Sequence, residues 1–215
     1  MTTTITTSID RLRRALEGTI PFTSSDTTTP ILNAVHLKVS DERFQAAATD
    51  RYAAATYRLH RGARAEDGDE FVADDGAAAE VAIAVQDAKA LLRTAKTYKR
   101  RAAHLEVVIA IDEARPAGAT FDFLDGPTVA VTGVEGEYPP IARLFPTGEH
   151  LAESTQSEVI FDATFAAKVH KAAHALTANG HTGVHLRLNT DGVKPVVFDV
   201  KEDERWRGLL MPVRG

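Results

Sequence analysis

The sequence predicts an α+β protein in which one unit, a strand, a helix and three more strands, is used three times, with the helices on one face of antiparallel sheets. Three observations predict it. A short alternating stretch, a polar cap and an amphipathic helix recur at Thr4-Ile5-Thr6 into Ser8 to Gly18, at Val81-Ala82-Ile83-Ala84-Val85 into Gln86 to Arg101, and at Val159-Ile160-Phe161 into Asp162 to Ala178. The helix starts are 78 and 76 residues apart. Each helix is followed by alternating β-branched or aromatic segments separated by turn residues, the signature of strands buried on one face.

In chain order, the first helix carries Ile9, Leu12 and Leu16 on one stripe, with Ser8 placed as an N-cap. Its strands are expected at Ile31 to Val39, Phe44 to Thr49 and Ala53 to Leu59, with Ser40-Asp41-Glu42 as a hairpin turn. Gly62 to Glu80, built from Gly, Asp, Glu and Ala, reads as an exposed connector. The second helix carries Ala88, Leu91, Leu92 and Ala95, and its strands are expected at His104 to Ile111, Ala119 to Leu124 and Thr128 to Thr132. Pro139 to Gln156 reads as a linker with few apolar anchors. The third helix, capped by Asp162, carries Phe165, Val169, Ala173 and Leu176; strands are expected at Val184 to Leu188, Val196 to Val200 and Trp206 to Met211.

A chain of 215 residues with 44% hydrophobic content can bury a substantial core. It has no run of about 18 apolar residues, and its start lacks the basic and apolar regions of a secretory signal. The expected location is therefore a cytoplasm, and no membrane partner is expected. The absence of cysteine excludes disulfide scaffolds, thiolate metal sites and cysteine nucleophiles.

Charge is unevenly distributed. The three helices hold eleven Lys and Arg against four Asp and Glu, so a net charge of −5 leaves −12 for the rest of the chain: basic helices on an acidic body. In projection Arg11 and Arg14 fall opposite the first apolar stripe, Lys89, Arg93, Lys96 and Arg100 opposite the second, and Lys171, with His170 and His174, opposite the third. Lys168 joins this set as a candidate DNA contact. No zinc finger, aromatic stacking signature or base-reading cluster accompanies these charges. The expected ligand is thus the duplex DNA backbone, bound without sequence preference and weakened by salt.

Catalysis is not expected. His170, His174, His181 and His185 include a pair four apart on one helical face, but His170-Lys171-Ala172-Ala173-His174 lacks the Glu that a helical zinc protease sets beside its first ligand. Asp50, Asp122 and Asp125 fall on predicted turns and a strand, where Asp has structural reasons to occur. No phosphate-binding loop, dinucleotide fingerprint or nucleophile elbow is present, and no cofactor or metal is expected.

Pro30-Ile31-Leu32-Asn33-Ala34-Val35-His36-Leu37 followed by Ala47-Ala48-Thr49-Asp50-Arg51-Tyr52, then Glu135-Gly136-Glu137-Tyr138-Pro139, then Gly208-Leu209-Leu210-Met211-Pro212-Val213-Arg214, together resemble the bacterial sliding-clamp family, the beta subunit of DNA polymerase III. The resemblance spans nearly the whole chain. It implies the sliding-clamp fold, with pairs of half-units forming pseudo-symmetric domains of a ring whose hole the helices line. It also implies a pocket for short apolar peptides of polymerases and other clamp-binding proteins, at Thr49, Tyr52, Ala53 and Ala54 on the turn and Leu210, Met211, Pro212, Val213 and Arg214 at the tail. Ala53 and Ala54 are smaller than the family's usual pair at these positions, so a shallower pocket is expected.

The chain reads as one complete domain, 1–148, and a third half-unit, 149–215. An odd half-unit is expected to leave a sheet edge and an apolar helix face without an internal partner, driving homo-oligomer formation; four chains would supply the twelve half-units of a ring. The small size suggests a phage-type or otherwise reduced clamp relative, acting as a processivity factor in DNA replication. The alternative is a clamp-derived interaction module, or a competitor of a host clamp, that does not encircle DNA.

Overall fold

A computed structural model describes residues 2–62, 71–73, 78–98, 104–114, 117–124, 126–145, 161–177, 183–187, 195–201 and 203–212. The first unit comprises β1 (Thr2–Ser8), α1 (Ile9–Thr19), β2 (Ala34–Ser40), β3 (Arg43–Thr49) and β4 (Ala53–His60), followed by the two-residue strand β5 (Val72–Ala73). The second comprises β6 (Ala79–Ala84), α2 (Val85–Thr97), β7 (Glu106–Asp112), β8 (Gly118–Phe123) and β9 (Thr128–Thr132). The third contains α3 (Ala163–Leu176), β10 (Val184–Arg187), β11 (Val196–Val200) and β12 (Asp203–Leu210); the expected leading strand at 159–160 and Arg100 lie outside the described residues, as do His181, Asp125, Val213 and Arg214.

The leading strands are exchanged between the first two units. β1 pairs antiparallel with β7, Thr2 opposite Asp112 and Ser8 opposite Glu106, in a five-stranded sheet of order β5-β1-β7-β8-β9. β6 in turn pairs with β2, Ala34 opposite Ala84, in a seven-stranded sheet of order β10-β11-β12-β4-β3-β2-β6. The third unit extends this second sheet through β12 on β4, with Trp206 opposite Tyr57 and Leu210 opposite Ala53.

Local chemistry sets the helix starts. Ser8 Oγ accepts from Arg11 N at 3.2 Å and an Asp162 carboxylate oxygen accepts from Thr164 N at 2.7 Å, so both predicted caps form. α2 has no side-chain cap; Val85 N–H donates instead to the Asn33 carbonyl at 3.0 Å. One continuous core takes Ile9, Leu12 and Leu16 from α1, Ala88, Leu91 and Ala95 from α2, and Val169, Ala172, Ala173 and Leu176 from α3. The apolar face of α3 is therefore occupied, against the expectation that an odd half-unit would leave it bare. At the joint, Arg14 donates to the Leu176 carbonyl at 2.8 Å and pairs with the buried Asp203 at 3.3 Å, and Trp206 donates to the Gly18 carbonyl. The outer edge of β10 has no partner among the described strands, and Val184 and Leu186 on it are exposed.

Three segments depart from expectation. Pro30-Ile31-Leu32 forms a 3-10 turn, not the start of a strand; proline fixes φ and offers no ladder N–H. The connector at 62–80 is not wholly exposed: Phe71 is buried against Phe44, at 6.5 Å between ring centroids, and β6 already begins at Ala79. The linker at 139–156 starts with an anchor, since Ile141 and Phe145 of the Ile141–Leu144 3-10 turn region are both buried.

Candidate nucleic-acid and peptide interfaces

α1 packs on α2 to one side and α3 to the other, so the three helices lie side by side over the sheets. Of the predicted DNA contacts, Lys89, Arg93, Lys96 and Lys171 are exposed on this helical face and Arg11 is half-buried. Lys96 Nζ also lies 2.9 Å from Glu17 of α1. Arg14 and Lys168 are placed differently. Arg14 bonds Asp10, Asp203 and the Leu176 carbonyl, which makes it part of the joint between units. Burial opposes ionisation of Asp10, but hydrogen bonds from Arg13 and Arg14 outweigh it and hold the carboxyl below the usual range. Lys168 is half-buried, bonds Asp50, and sits 5.6 Å from the Phe165 ring centroid, so it supports the Thr49–Tyr52 turn. His170 and His174 stack on the exposed side of α3, 6.1 Å between ring centroids, and His185 lies on β10. Among the described residues no group of three His, Asp or Glu is arranged to hold a metal ion.

The second site is built around that turn, between β3 and β4. Asp50 Oδ1 accepts from the N–H groups of Tyr52 (3.0 Å) and Ala53 (2.7 Å), Thr49 Oγ1 donates to the Ala53 carbonyl at 2.9 Å, and Arg51 takes the left-handed φ of 83°. The tail arrives beside it: Met211 N–H donates to the Tyr52 carbonyl at 2.8 Å. Turn and tail therefore meet, with Tyr52 58% exposed and stacked on Phe165 at 5.5 Å. The period of two corrects the residue set. Ala53 and Leu210 point into the main core, while Ala54 and Leu209 face outward. Thr49 is buried, and Met211 and Pro212 are half-buried at the rim.

Sequence reasoning missed what covers this outer face. After β9 the chain bonds back to β6, Val134 N to the Ala82 carbonyl at 2.7 Å, and then runs as a strap across the seven-stranded sheet. Gly136, at φ 131°, lets the strap turn against Ile31. Tyr138 stacks on His36 at 4.4 Å and its hydroxyl donates to the Ala47 carbonyl at 3.3 Å. Ile141 and Phe145 then close a small cluster with Ala47, Ala54 and Leu209, leaving Leu144 exposed beside it. The available signal was the isolated apolar triplet Ile141, Leu144 and Phe145 inside a polar stretch.

The same outer face continues past the cluster into a cleft of about 640 Å³ lined by Arg43, Arg58, His60, Lys201, Arg205 and Arg207, with Glu204 as its one carboxylate among the described residues. The expectation of cations confined to helices on an acidic body is thus corrected: strand alternation gathers a second basic surface on the opposite side of the sheet.

Neither protein-family profiles nor curated protein sequences give a match to this chain. Solved structures do. The beta subunit of DNA polymerase III from Thermotoga maritima superposes with a TM-score of 0.73 at 12% identity, over 99% of this chain and 66% of that one. The Pseudomonas aeruginosa DnaN sliding clamp bound to griselimycin gives 0.72 at 12%, over 99% and 65%, and the griselimycin-bound clamp of Bartonella birtlesii gives 0.69 at 16%, over 99% and 66%. The chain spans just under two thirds of the length of these structures. Its fold is the α+β sliding-clamp fold.

Proposed function

We propose that this chain is a non-enzymatic tether that holds a polymerase or another DNA-acting protein on duplex DNA. The observation that carries the reading is the common placement of three helices side by side, which turns Lys89, Arg93, Lys96 and Lys171 to one surface of a sliding-clamp fold. Cations spread along helices, without base-reading groups, suit phosphates at any sequence. Tyr52, Leu144, Met211 and Pro212, exposed or half-buried around the closed cluster of Ala54 and Leu209, form the proposed seat for an apolar segment of the tethered protein, on the other side of the sheet. The β10 edge, unpartnered among the described strands, is where a homo-oligomer would add a strand.

The test is fluorescence anisotropy of a labelled random-sequence duplex at about 50 and 200 mM salt, with the wild-type chain and with K89E/R93E/K96E. A tether shows association that weakens steeply with salt, does not depend on sequence, and is lost in the variant. Association that survives the charge reversal removes the helical face as the DNA surface. No association in the wild type, with apolar-peptide binding retained, leaves an interaction module that does not hold DNA.

A further inference from the structure

We propose that the cleft lined by Arg43, Arg58 and Arg207 binds the carboxylates of an acidic peptide segment whose apolar anchor sits in the neighbouring pocket. The inference rests on the peptide-pocket reading above and adds to it the chemistry of the partner.

The two features share one face of the same strands. On β4, Ala54 of the apolar cluster and Arg58 of the cleft are four residues apart on the outward side, about 13 Å along the strand. On β12, Leu209 and Arg207 are outward neighbours, and the Arg207 guanidinium lies 5.7 Å from the ring centroid of Phe145, which closes the cluster. The cleft therefore begins at the edge of the closed cluster that the proposed seat surrounds.

Two of its cations have little counter-charge among the described residues. Arg207 shares Asp199 with Arg187, at 3.1 Å and 2.6 Å. Arg58 is half-buried, and its Nε–H bonds only a neutral group, Gln45 Oε1, at 3.0 Å. Burial, then the like charges of Arg43 and Arg207, pull its pKa down. Guanidinium groups crowded in a concave, half-dry site are arranged for bidentate carboxylate recognition. A peptide is favoured over a duplex because the bases of a duplex are stacked inside it and leave an adjoining apolar seat nothing to receive; a single strand is an outcome of the test below.

Three fluorescein-labelled peptides test this: a Leu-Leu-Phe anchor with neutral flanks, the same anchor followed after four neutral residues by four glutamates, and the anchor preceded by them. The expected result is that one acidic order binds about tenfold more tightly than the neutral peptide at low salt. R43E/R58E should erase that gain and leave the neutral peptide's affinity unchanged. R43Q/R58Q, a milder change, should reduce the gain, with Trp206 fluorescence confirming the fold. The proposal is overturned if neither acidic order gains, if the gain survives both variants, or if a twelve-nucleotide single strand displaces the acidic peptide while the neutral peptide stays bound. If the neutral peptide fails to bind at all, the pocket reading fails by itself. The cleft is then judged by whether a free tetraglutamate binds the wild type and not R43E/R58E.

Discussion

Trp206 and Gly18 lock the third unit onto the first: the indole Nε1–H donates to the Gly18 carbonyl at 2.9 Å, and a Cβ on Gly18 would lie 2.6 Å from Trp206 Cδ1. Gly18→Ala should therefore destabilise the protein by about 1–3 kcal/mol through overpacking, despite the better helix propensity of Ala. Trp206 is the only tryptophan, so its fluorescence during urea unfolding reads this joint directly. An unchanged midpoint would show that the indole can shift without cost.

Asp203 is the electrostatic counterpart of that joint. Its carboxylate is 1% exposed and accepts from Arg14 at 3.3 Å, from the Tyr57 hydroxyl at 3.2 Å and from Arg205 at 2.8 Å. Asp203→Ala removes one partner from Arg14, which keeps Asp10 and the Leu176 carbonyl, and takes the acceptor from the buried Tyr57 hydroxyl; it should cost about 1–3 kcal/mol. Asp203→Asn keeps an acceptor and should cost less. Denaturant melts of both variants check the order.

His36 gives the fold a pH dependence. Burial under Tyr138 depresses its pKa to about 4, against the raising effect of Glu80 at 3.6 Å, with Lys38 lowering it further. The unfolded chain thus takes up this proton first as pH falls. Stability is full above about pH 6.5, declines through the window down to about pH 4, and loses up to about 3 kcal/mol there. His36→Phe keeps the ring stack and should remove this component, measured as the difference in urea midpoints between pH 7.5 and 4.5.

Arg51 holds φ 83° in the turn beside the candidate pocket, a conformation that costs a side-chain-bearing residue about 1 kcal/mol or more. Arg51→Gly should raise the thermal midpoint by a few degrees, less whatever the exposed bond from Arg51 to Thr29 Oγ1 contributes. A lowered midpoint would show that the bond to Thr29 outweighs the strain.

Periodicity made the repeats legible. The stripes of the three helices, the caps at Ser8 and Asp162, and strands such as Thr128–Thr132 and Val196–Val200 all follow from local pattern. Turn and tail could be paired only through the family resemblance, because Tyr52 and Met211 meet across more than 150 residues. Ala53 and Leu210 were misassigned to the pocket because β4 and β12 are buried on both faces near the cluster, where alternation of burial no longer reveals direction. The strap showed in the sequence only as the isolated apolar residues Ile141, Leu144 and Phe145, and the sheet beneath explains why Ile141 and Phe145 are buried. The basic cleft arises from three strands and the turn after β11, each contributing one or two cations, and no sequence window contains it.

The exchange of leading strands dictates an order of events during synthesis. β1 leaves the ribosome first, yet its ladder partner, Glu106–Asp112, follows about a hundred residues later. At ordinary elongation rates that is on the order of 5–20 s. Throughout that interval Thr2–Ser8, five of whose seven residues are threonine flanking Ile5, is a β-prone segment with only the two-residue β5 as a native partner. β4 waits longer still for β12. Completion of both sheets is therefore a late, long-range event with high contact order, and a nascent chain stalled before residue 106 would carry β1 without its long ladder and β4 with one bare edge, a state exposed to chaperone capture or to mispairing with another nascent copy.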